Sequence, residues 1–480
     1  VVGSESIMRF LEAVNGEQLK LHSFMYVRHG HIVAEAWWDP YKADINHIMH
    51  SATKTFTSTA VGFAVDVKLL SVDDKVISFF PDDLPAEVSP FLKELSVKHL
   101  LTMSAGHETP PVLYMSEENW VKAFLATPIV NEPGTVFLYC SSSSYMLSAI
   151  IQKVTGQTTF EYLKPRLFEP LGIEDIQWEA GAQGISLGGG GMRIKTSDMA
   201  KFGQFYLQKG MWNGKQILSS DWIEEASSAQ ISQVKNPTED QITSDEGAQG
   251  YGYQIWRCTV PNTYRADGAN GQYIVVMPDQ DVVIAITGRV SNMRRILRLI
   301  WENLLPAMLE GPLRSNQDAG EFLISKIGLL QIPNPFFTDE DNVVPKKDII
   351  QSYIFEPNEK QIESINFNFE SNSDCKVTMK IQGKEYSYLF GLDTWRRGTT
   401  ERPGPYFLNP RRNPAGLAPF TVAGYASWTK PEELSLRLLY MAEIQYETYV
   451  CDFKNDQLTI HITNSQQPDT NPIVLKGKLQ

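Results

Sequence analysis

Apolar and polar positions along the first three hundred residues predict strands at both ends and helices between them. Residues 22–38, HSFMYVRHGHIVAEAWW, read as two strands around a tight turn at Arg28–Gly30. Residues 53–66 read as an apolar helix. From about 90 to 230 the pattern is mixed helix and loop, punctuated by NEPGT at 131–135 and WNGK at 212–215. Two further strands, QYIVVM (272–277) and VVIAIT (282–287), flank the turn PDQD, and MRRILRLIWENLLPAML (293–309) has helical apolar spacing. This order predicts one sheet completed by both ends of a domain. Residues 311–345, rich in Pro, Asn and Asp, read as a linker. Beyond it, SINFNFES (364–371), KVTMKI (376–381), LSLRLLYM (434–441), TYVCDF (448–453) and QLTIHI (457–462) are β-rich. They predict a separate antiparallel β domain, with a small barrel as one form it can take.

Composition narrows the function classes. A chain of 480 residues is too long for one ordinary core, so two domains are expected. The formal net charge of −13 argues against nucleic acid or anionic membrane as the main partner, because both select basic patches. No run of 18 apolar residues appears, so no membrane span is expected. The opening VVGSESIMRF has no basic region followed by an apolar one, so no signal peptide is expected within it. The absence of an initiator Met leaves a trimmed, mature form open, and the compartment is not specified. Cys140, Cys258, Cys375 and Cys451 are scattered without CxxC spacing and are expected to be buried thiols. The histidines form no HExxH pattern, and neither a metal nor an organic cofactor is expected.

The candidate chemistry begins at MHSATKTFTS, 49–58. On a helix, Ser51 and Lys54 lie three positions apart on one face, about 5–6 Å apart at Cβ. A serine hydroxyl is a poor nucleophile at neutral pH without an adjacent base. A lysine serves as that base only if burial or positive potential lowers its pKa. A helix start would also favour an oxyanion near the Ser51 N–H. The plain alternative is an ordinary helix start with a solvated lysine. A second S-x-x-K, Ser232 to Lys235, runs into Asn236-Pro237 with no apolar helix behind it and reads as a loop decoy.

Two other stretches raise the weight of the first. In NEPGTVFLYCSSSS, 131–144, Tyr139 and Ser141 form a Y-x-S step ahead of an apolar helix. A phenol beside a lysine ammonium is expected to have a lowered pKa and to relay a proton, while Ser141 would hold the lysine. Core packing and helix capping are the alternatives. In YRADGANGQYIVV, 264–276, Gly268 and Gly271 would admit close backbone approach to a ligand, and the Ala269 N–H would be a second oxyanion donor. A plain hairpin edge is the alternative there.

Together these stretches resemble the serine β-lactamase and penicillin-binding-protein superfamily, nearer its class C and esterase-like branch. Ser51–Lys54 matches the first box. Tyr139-Cys140-Ser141 matches the Y-x-N box with Ser for Asn, and ADGA (266–269) sits where K-T-G is expected. VKHLLTMSAGH (97–107), NEPGTVFLY (131–139), LFEPLGIEDIQWE (167–179) and GGGGMRIKTSDMAKFGQF (188–205) belong to the same pattern, which covers most of residues 20–310. The resemblance implies an α+β fold: an antiparallel sheet flanked by helices with a mostly helical subdomain. The expected division is 1–312 for this domain, 313–345 for the linker and 346–480 for the β-rich domain. In β-lactamases the third-box lysine helps anchor the substrate carboxylate; here Ala266 and Asp267 stand in place of Lys and Thr. A carboxylate there should repel a β-lactam, and DGANGQYIVV looks more like the box of 6-aminohexanoate-dimer hydrolases. Asp267 would instead receive an ammonium or hydrogen-bond an amide.

The expected function is therefore acyl-enzyme hydrolysis of carboxylic esters or amides, small-molecule or peptide-like, with weak or no β-lactamase activity. Lys54 deprotonates Ser51, Tyr139 relays the proton, and the N–H groups of Ser51 and Ala269 hold the oxyanion. Acyl transfer at the same site and a slowly acylating receptor or scaffold are the alternatives. A homodimer remains open, and the family is often secreted or periplasmic. Three further readings are set aside. GGGGMRIKTSD lacks the glycine a phosphate loop needs before Lys-Thr, and Thr196 or Ser197 is expected to cap the next helix, with Asp198 in its first turn. Cys140 has no histidine nearby to activate it. His50, next to Ser51, is assigned to packing or to supporting the site from behind, because neighbours i and i+1 diverge. Trp395, Arg396 and Arg397 read as surface packing in the β domain.

Overall fold

The computed structural model describes residues 3–113, 119–181, 183–311, 316–336, 350–369, 373–407, 419–466 and 471–480. The chain forms two compact units. The first comprises Val1–Ala36, Asn46–Leu329 and Phe407–Pro414; the second comprises Trp37–Ile45, Leu330–Tyr406 and Ala415–Gln480.

The first unit is α+β, with its elements where the apolar pattern predicts them. Its main sheet has six strands in the order His31–Trp37, Leu21–Arg28, Val282–Gly288, Gln272–Met277, Tyr264–Gly268, Trp256–Arg257. The N-terminal strand Leu21–Arg28 pairs antiparallel with Val282–Gly288, Tyr26 opposite Ile284, so both ends of the domain do complete one sheet. Every residue of Val282–Gly288 is buried, as a central strand covered on both faces requires. Strand alternation sends Phe24 and Val27 to opposite faces. Phe24 meets Phe10 of the helix Ser4–Gly16, ring centroids 4.9 Å apart. On the other face Val283, paired with Val27, lies against Gly203 of the helix Thr196–Leu207.

The helix Thr53–Asp66 is buried from Thr53 to Ala64, although six of its first seven residues carry hydroxyls or an amine. Such a sequence has modest intrinsic helicity, so tertiary hydrogen bonds hold it. Thr55 donates to the Gln254 carbonyl at 2.9 Å, Thr57 to that of Gly188 at 2.9 Å, and Thr59 meets the Tyr206 hydroxyl at 2.7 Å. It packs against the helix Ser141–Thr155, which stops at Gly156 with φ 70°.

Two local expectations change. In the stretch read as a linker, residues 317–328 form a helix capped by the Asn316 side chain, and the first unit runs on to Leu329. Neighbouring Pro, Asn and Asp residues masked its apolar positions, of which Leu323 is buried. Residues 313–315 and 337–345 of that stretch lie outside the described residues. Thr196 does not cap its helix: Lys195 occupies the cap position, and the Thr196 hydroxyl meets Ser23 at 2.6 Å across to the sheet. Asp198 does lie in the first turn, where Lys201 pairs with it at 2.9 Å.

The second unit is a closed nine-strand barrel. Antiparallel neighbours run from Lys384–Leu392 through Asp374–Ile381, Ile362–Asn368, Ile350–Phe355, Ile473–Leu479, Gln457–Asn464, Tyr446–Lys454 and Glu433–Tyr440 to Phe420–Lys430. A parallel pair, Phe390 with Gly424 and Leu392 with Ala426, closes it. A tenth strand, Trp395–Thr400, pairs with Phe420–Lys430. Leu458, Ile460 and Ile462 point inward with solvent-facing neighbours, the alternation a small barrel needs. Side chains such as Phe367, Phe390 and Leu436 fill the interior, so this barrel is a packed core. Trp395 packs on Tyr425 and Arg396 pairs with Asp374 at 2.6 Å, as expected of a packing cluster.

One polar pair interrupts that interior. Arg402 clasps Glu447 with two bonds, 2.7 and 3.1 Å, and the Tyr449 hydroxyl adds a third to the carboxylate. Burial alone would raise the Glu447 pKa, but Arg402 and Tyr449 hold it below the ordinary carboxylate value. Removing one partner of a buried pair strands the other charge. Glu447→Ala is expected to cost about 3 kcal/mol, read as a lower denaturant midpoint for the barrel transition.

Candidate functional site

Ser51 sits in a short 3-10 turn, His50–Ala52, that leads directly into the helix Thr53–Asp66. The Met49 N–H donates to Met192 at 2.8 Å and the Ala52 N–H to Met49 at 3.0 Å, which fixes this turn. Lys54 is in the first turn of the helix and is 1% exposed. Its Nζ reaches Ser51 Oγ at 2.9 Å, Ser141 Oγ at 3.1 Å and the Gly189 carbonyl at 2.8 Å. Those three oxygens use its three donors when it is protonated. When it is neutral, two hydrogens remain and a lone pair is left for the Ser51 hydroxyl proton.

Tyr139 and Ser141 arrive from the turn before the helix Ser141–Thr155. The Leu138 N–H bonds Met103 at 2.7 Å, and the Cys140 N–H contacts the Met103 sulfur at 3.3 Å. The Tyr139 hydroxyl is near enough to the Ser51 side chain and the Trp256 indole for both to act on its proton affinity. The Lys54 nitrogen lies 4.8 Å from the Tyr139 ring centroid. Sequence positions 51, 54, 139 and 141 thus meet at one point. Ser141 and Ala269 are solvent-exposed and Ser51 is partly so, leaving the cluster open on one side.

The third stretch closes the opposite edge. Gly268 ends the strand Tyr264–Gly268. A Cβ at this position would lie 2.2 Å from the Met49 carbonyl oxygen and 3.2 Å from the Ala52 nitrogen. Only a glycine lets the strand end press against the Ser51 turn, which brings Ala269 alongside it. Asp267 is less free than expected. Its carboxylate binds Arg265 Nε at 3.0 Å, and Arg265 also reaches Glu246 at 3.3 Å. Glu246 is further held by the Trp301 indole at 2.9 Å and by Thr259.

Burial governs proton affinity at the site. It lowers the Lys54 amine to about 7 against small opposing effects of Cys140 and Asp267. Tyr139 moves the other way from the expectation. Burial raises its pKa, with Asp267 adding to the rise and Ser51 and Trp256 opposing it, so the phenol keeps its proton. Burial also raises the Asp267 carboxyl, with Arg265 opposing. The His50 imidazole is pushed down to about 3, chiefly by burial, and is neutral at working pH. Its Nε2 has no hydrogen-bond partner among the described residues, in keeping with a packing role.

Several contributors escaped the sequence reading. The glycine run supplies the third Lys54 acceptor. A Cβ on Gly188 would sit 2.0 Å from the Ser144 carbonyl oxygen, and one on Gly189 would sit 2.9 Å from Ser141 Cβ. Those glycines bring the loop against the Ser141 helix. Gln254, 2% exposed, takes the Ser144 hydroxyl at 2.6 Å and donates to the carbonyls of Leu100 and Leu101, both at 3.0 Å. Its own carbonyl takes Thr55, so one residue ties both site helices together. A polar residue between two aromatic ones, YQIW, was the only available signal. The decoy serine, Ser232, bonds its own loop at the Val234 carbonyl, 2.7 Å away. All four cysteines are buried free thiols. Among the described residues no helix is long and apolar enough to cross a membrane.

A serine, a buried amine and a phenol thus meet beside a glycine-ended strand, in a fold of the serine hydrolase superfamily. The chain belongs to the beta-lactamase family, whose sequence profile matches residues 18–297. It is 24% identical over 295 residues to the 6-aminohexanoate-dimer hydrolase of Paenarthrobacter ureafaciens, covering 56% of this chain and 72% of that one. It is 27% identical over 207 residues to the lovastatin esterase of Penicillium rubens, covering 34% and 52%. The octameric penicillin-binding protein homologue from Pyrococcus abyssi superposes with a TM-score of 0.50 at 17% identity, covering 99% of both chains. That last likeness is one of fold.

Gln254→Ala would leave the buried Ser144 hydroxyl and two carbonyls without their side-chain partner, at about 1–3 kcal/mol for each group left unpaired. A net loss of about 3 kcal/mol in chemical denaturation is expected, with little change if Gln254 is only a surface spacer.

Proposed function

We propose that this chain hydrolyses carboxylic esters or amides through an acyl-enzyme on Ser51. The observation that carries the reading is the Lys54 amine, 2.9 Å from Ser51 Oγ and lowered by burial to about 7. An ordinary lysine at neutral pH holds its proton too tightly to act as a base; this one is about half neutral there.

Neutral Lys54 takes the Ser51 hydroxyl proton as Oγ bonds to the substrate carbonyl carbon. The carbonyl oxygen gains the negative charge and is met by the N–H groups of Ser51 and Ala269. The Lys54 ammonium then returns its proton through the Tyr139 hydroxyl to the leaving oxygen or nitrogen, and that bond breaks. A raised phenol pKa suits this role, since Tyr139 passes a proton and does not rest as phenolate. Water repeats the sequence in reverse, with Lys54 taking its proton, and frees the acid. Ala266 stands where a β-lactamase would hold a lysine, and Asp267 beside it is engaged by Arg265, which supports poor capture of a substrate carboxylate. The hydrolase and esterase relatives support the same class.

With p-nitrophenyl esters, Ser51→Ala is expected to abolish turnover while retaining the native melting temperature. Tyr139→Phe should lower kcat by about 10²–10⁴-fold. Full esterase activity in Ser51→Ala would overturn the reading. The pH profile gives a separate check. The working form of Lys54 is the neutral one, so kcat/KM should rise with pH through about 7 and level off above it. A profile that falls across this interval would exclude Lys54 as the base.

A further inference from the structure

An apolar pocket opens beside the amine, at Ser141. Its lining includes Leu113, Trp120, Tyr145 and Leu187, with the glycine run below and Phe407 on one side. No charged side chain is among its described lining residues. Trp120 and Tyr145 form one wall, ring centroids 5.0 Å apart. Ser141 sits at the pocket and also holds Lys54 at 3.1 Å, so a group seated there lies next to the reacting carbonyl.

Phe407 belongs to the first unit although it lies far along the chain from the boxes. It is 39% exposed. Its backbone N–H donates to Glu179 Oε1 at 3.0 Å. The same oxygen takes Arg193 at 2.6 Å, in an ion pair whose side chains are both fully buried. Arg193 also bonds the Gly191 carbonyl at 3.2 Å, so the carboxylate and the glycine run form one rigid support. The ring stands over Gly190, where a Cβ would lie 2.6 Å from the Phe407 Cζ atom. Gly190 thus leaves the space that the ring fills, and the His50 ring lies 5.8 Å away between centroids.

We infer that Phe407 is the specificity-determining wall of a binding site for the uncharged, apolar acyl substituent of the substrate, and that it limits the length of that substituent. The inference rests on the hydrolase reading above. An apolar group gains about 0.8 kcal/mol for each methylene buried, so a lining without charge favours aliphatic or aryl acyl groups over charged ones. Shortening the wall should extend the accepted length.

Two ester series separate the outcomes. One varies the acyl group from acetyl to decanoyl on a constant p-nitrophenol; the other varies the alcohol on a constant acetyl. In Phe407→Ala the kcat/KM ratio of decanoyl to butyryl ester should rise about tenfold, with the alcohol series keeping its order. Adding Gly190→Ala to Phe407→Ala puts a methyl into the vacated space and should return part of the short-chain preference. Phe407→Leu, checked by melting temperature, gives a smaller shift in the same direction should the alanine variant fold poorly. An unchanged acyl ratio with Ser51-dependent turnover intact overturns the assignment of Phe407 alone. So does a shift confined to the alcohol series. No Ser51-dependent turnover in the parent chain overturns the hydrolase reading, and this assignment with it.

Discussion

The buried amine of Lys54 is the constraint around which the first unit is arranged. A lysine nitrogen at 1% exposure loses most of its hydration, and the charged form loses more than the neutral one. The fold offsets this with three oxygens from three separate segments: the Ser51 turn, the start of the Ser141 helix and the glycine run at Gly189. Three acceptors keep the group folded in place, yet they are neutral and do not restore a full counter-charge. The amine therefore rests near the midpoint of its titration, able to give and take a proton. A carboxylate in place of any one of them would stabilise the ammonium and remove that balance.

The same constraint explains sequence features that carry no chemistry of their own. For the Gly189 carbonyl to reach Lys54, the loop must pass within van der Waals distance of the Ser141 helix, and any side chain on Gly188 would meet the Ser144 backbone. The hydroxyls of Thr55, Thr57 and Thr59 are not a polar face in the usual sense. Each bonds a different neighbouring segment and keeps the buried helix satisfied without bringing charge near the amine. Gln254 does the same work from outside the helix, with four bonds to backbone and hydroxyl partners.

Much of this was legible from residues alone. The paired strands at 21–37 and 272–288, the helix from Thr53 and the β-rich C-terminal unit follow from apolar period and turn chemistry, which are local properties. The meeting of Ser51, Lys54, Tyr139 and Ser141 was legible because three spaced boxes occur in order. What failed had a common cause. The direction of the Tyr139 shift depends on burial depth, which the order of residues does not encode, and desolvation reversed the sign expected from a nearby cation. The purpose of the glycine run depends on which backbone passes it. Thr196 looked like a cap because caps are local, but its hydroxyl is used across to Ser23. Phe407 lies more than two hundred residues from the support that holds it, and only a folded chain connects it with Glu179.

The Asp267 carboxylate in the third box, beside Ala266 where a lysine is expected, then acquires a physical reading. A bare carboxylate near the amine would raise the Lys54 pKa and oppose negative charge building on a substrate oxygen; the residual effect of Asp267 on Lys54 has that sign. Arg265, two residues back on the same strand and therefore on the same face, binds it at 3.0 Å. Arg265 is itself held by Glu246, and Trp301 and Thr259 fix Glu246 in turn. The carboxylate is compensated at its source, not by Lys54. The strand can thus carry an acidic residue in this position while the amine remains largely governed by burial. The cost is that the Arg265 guanidinium is committed to Asp267 and Glu246 and is not available to a ligand.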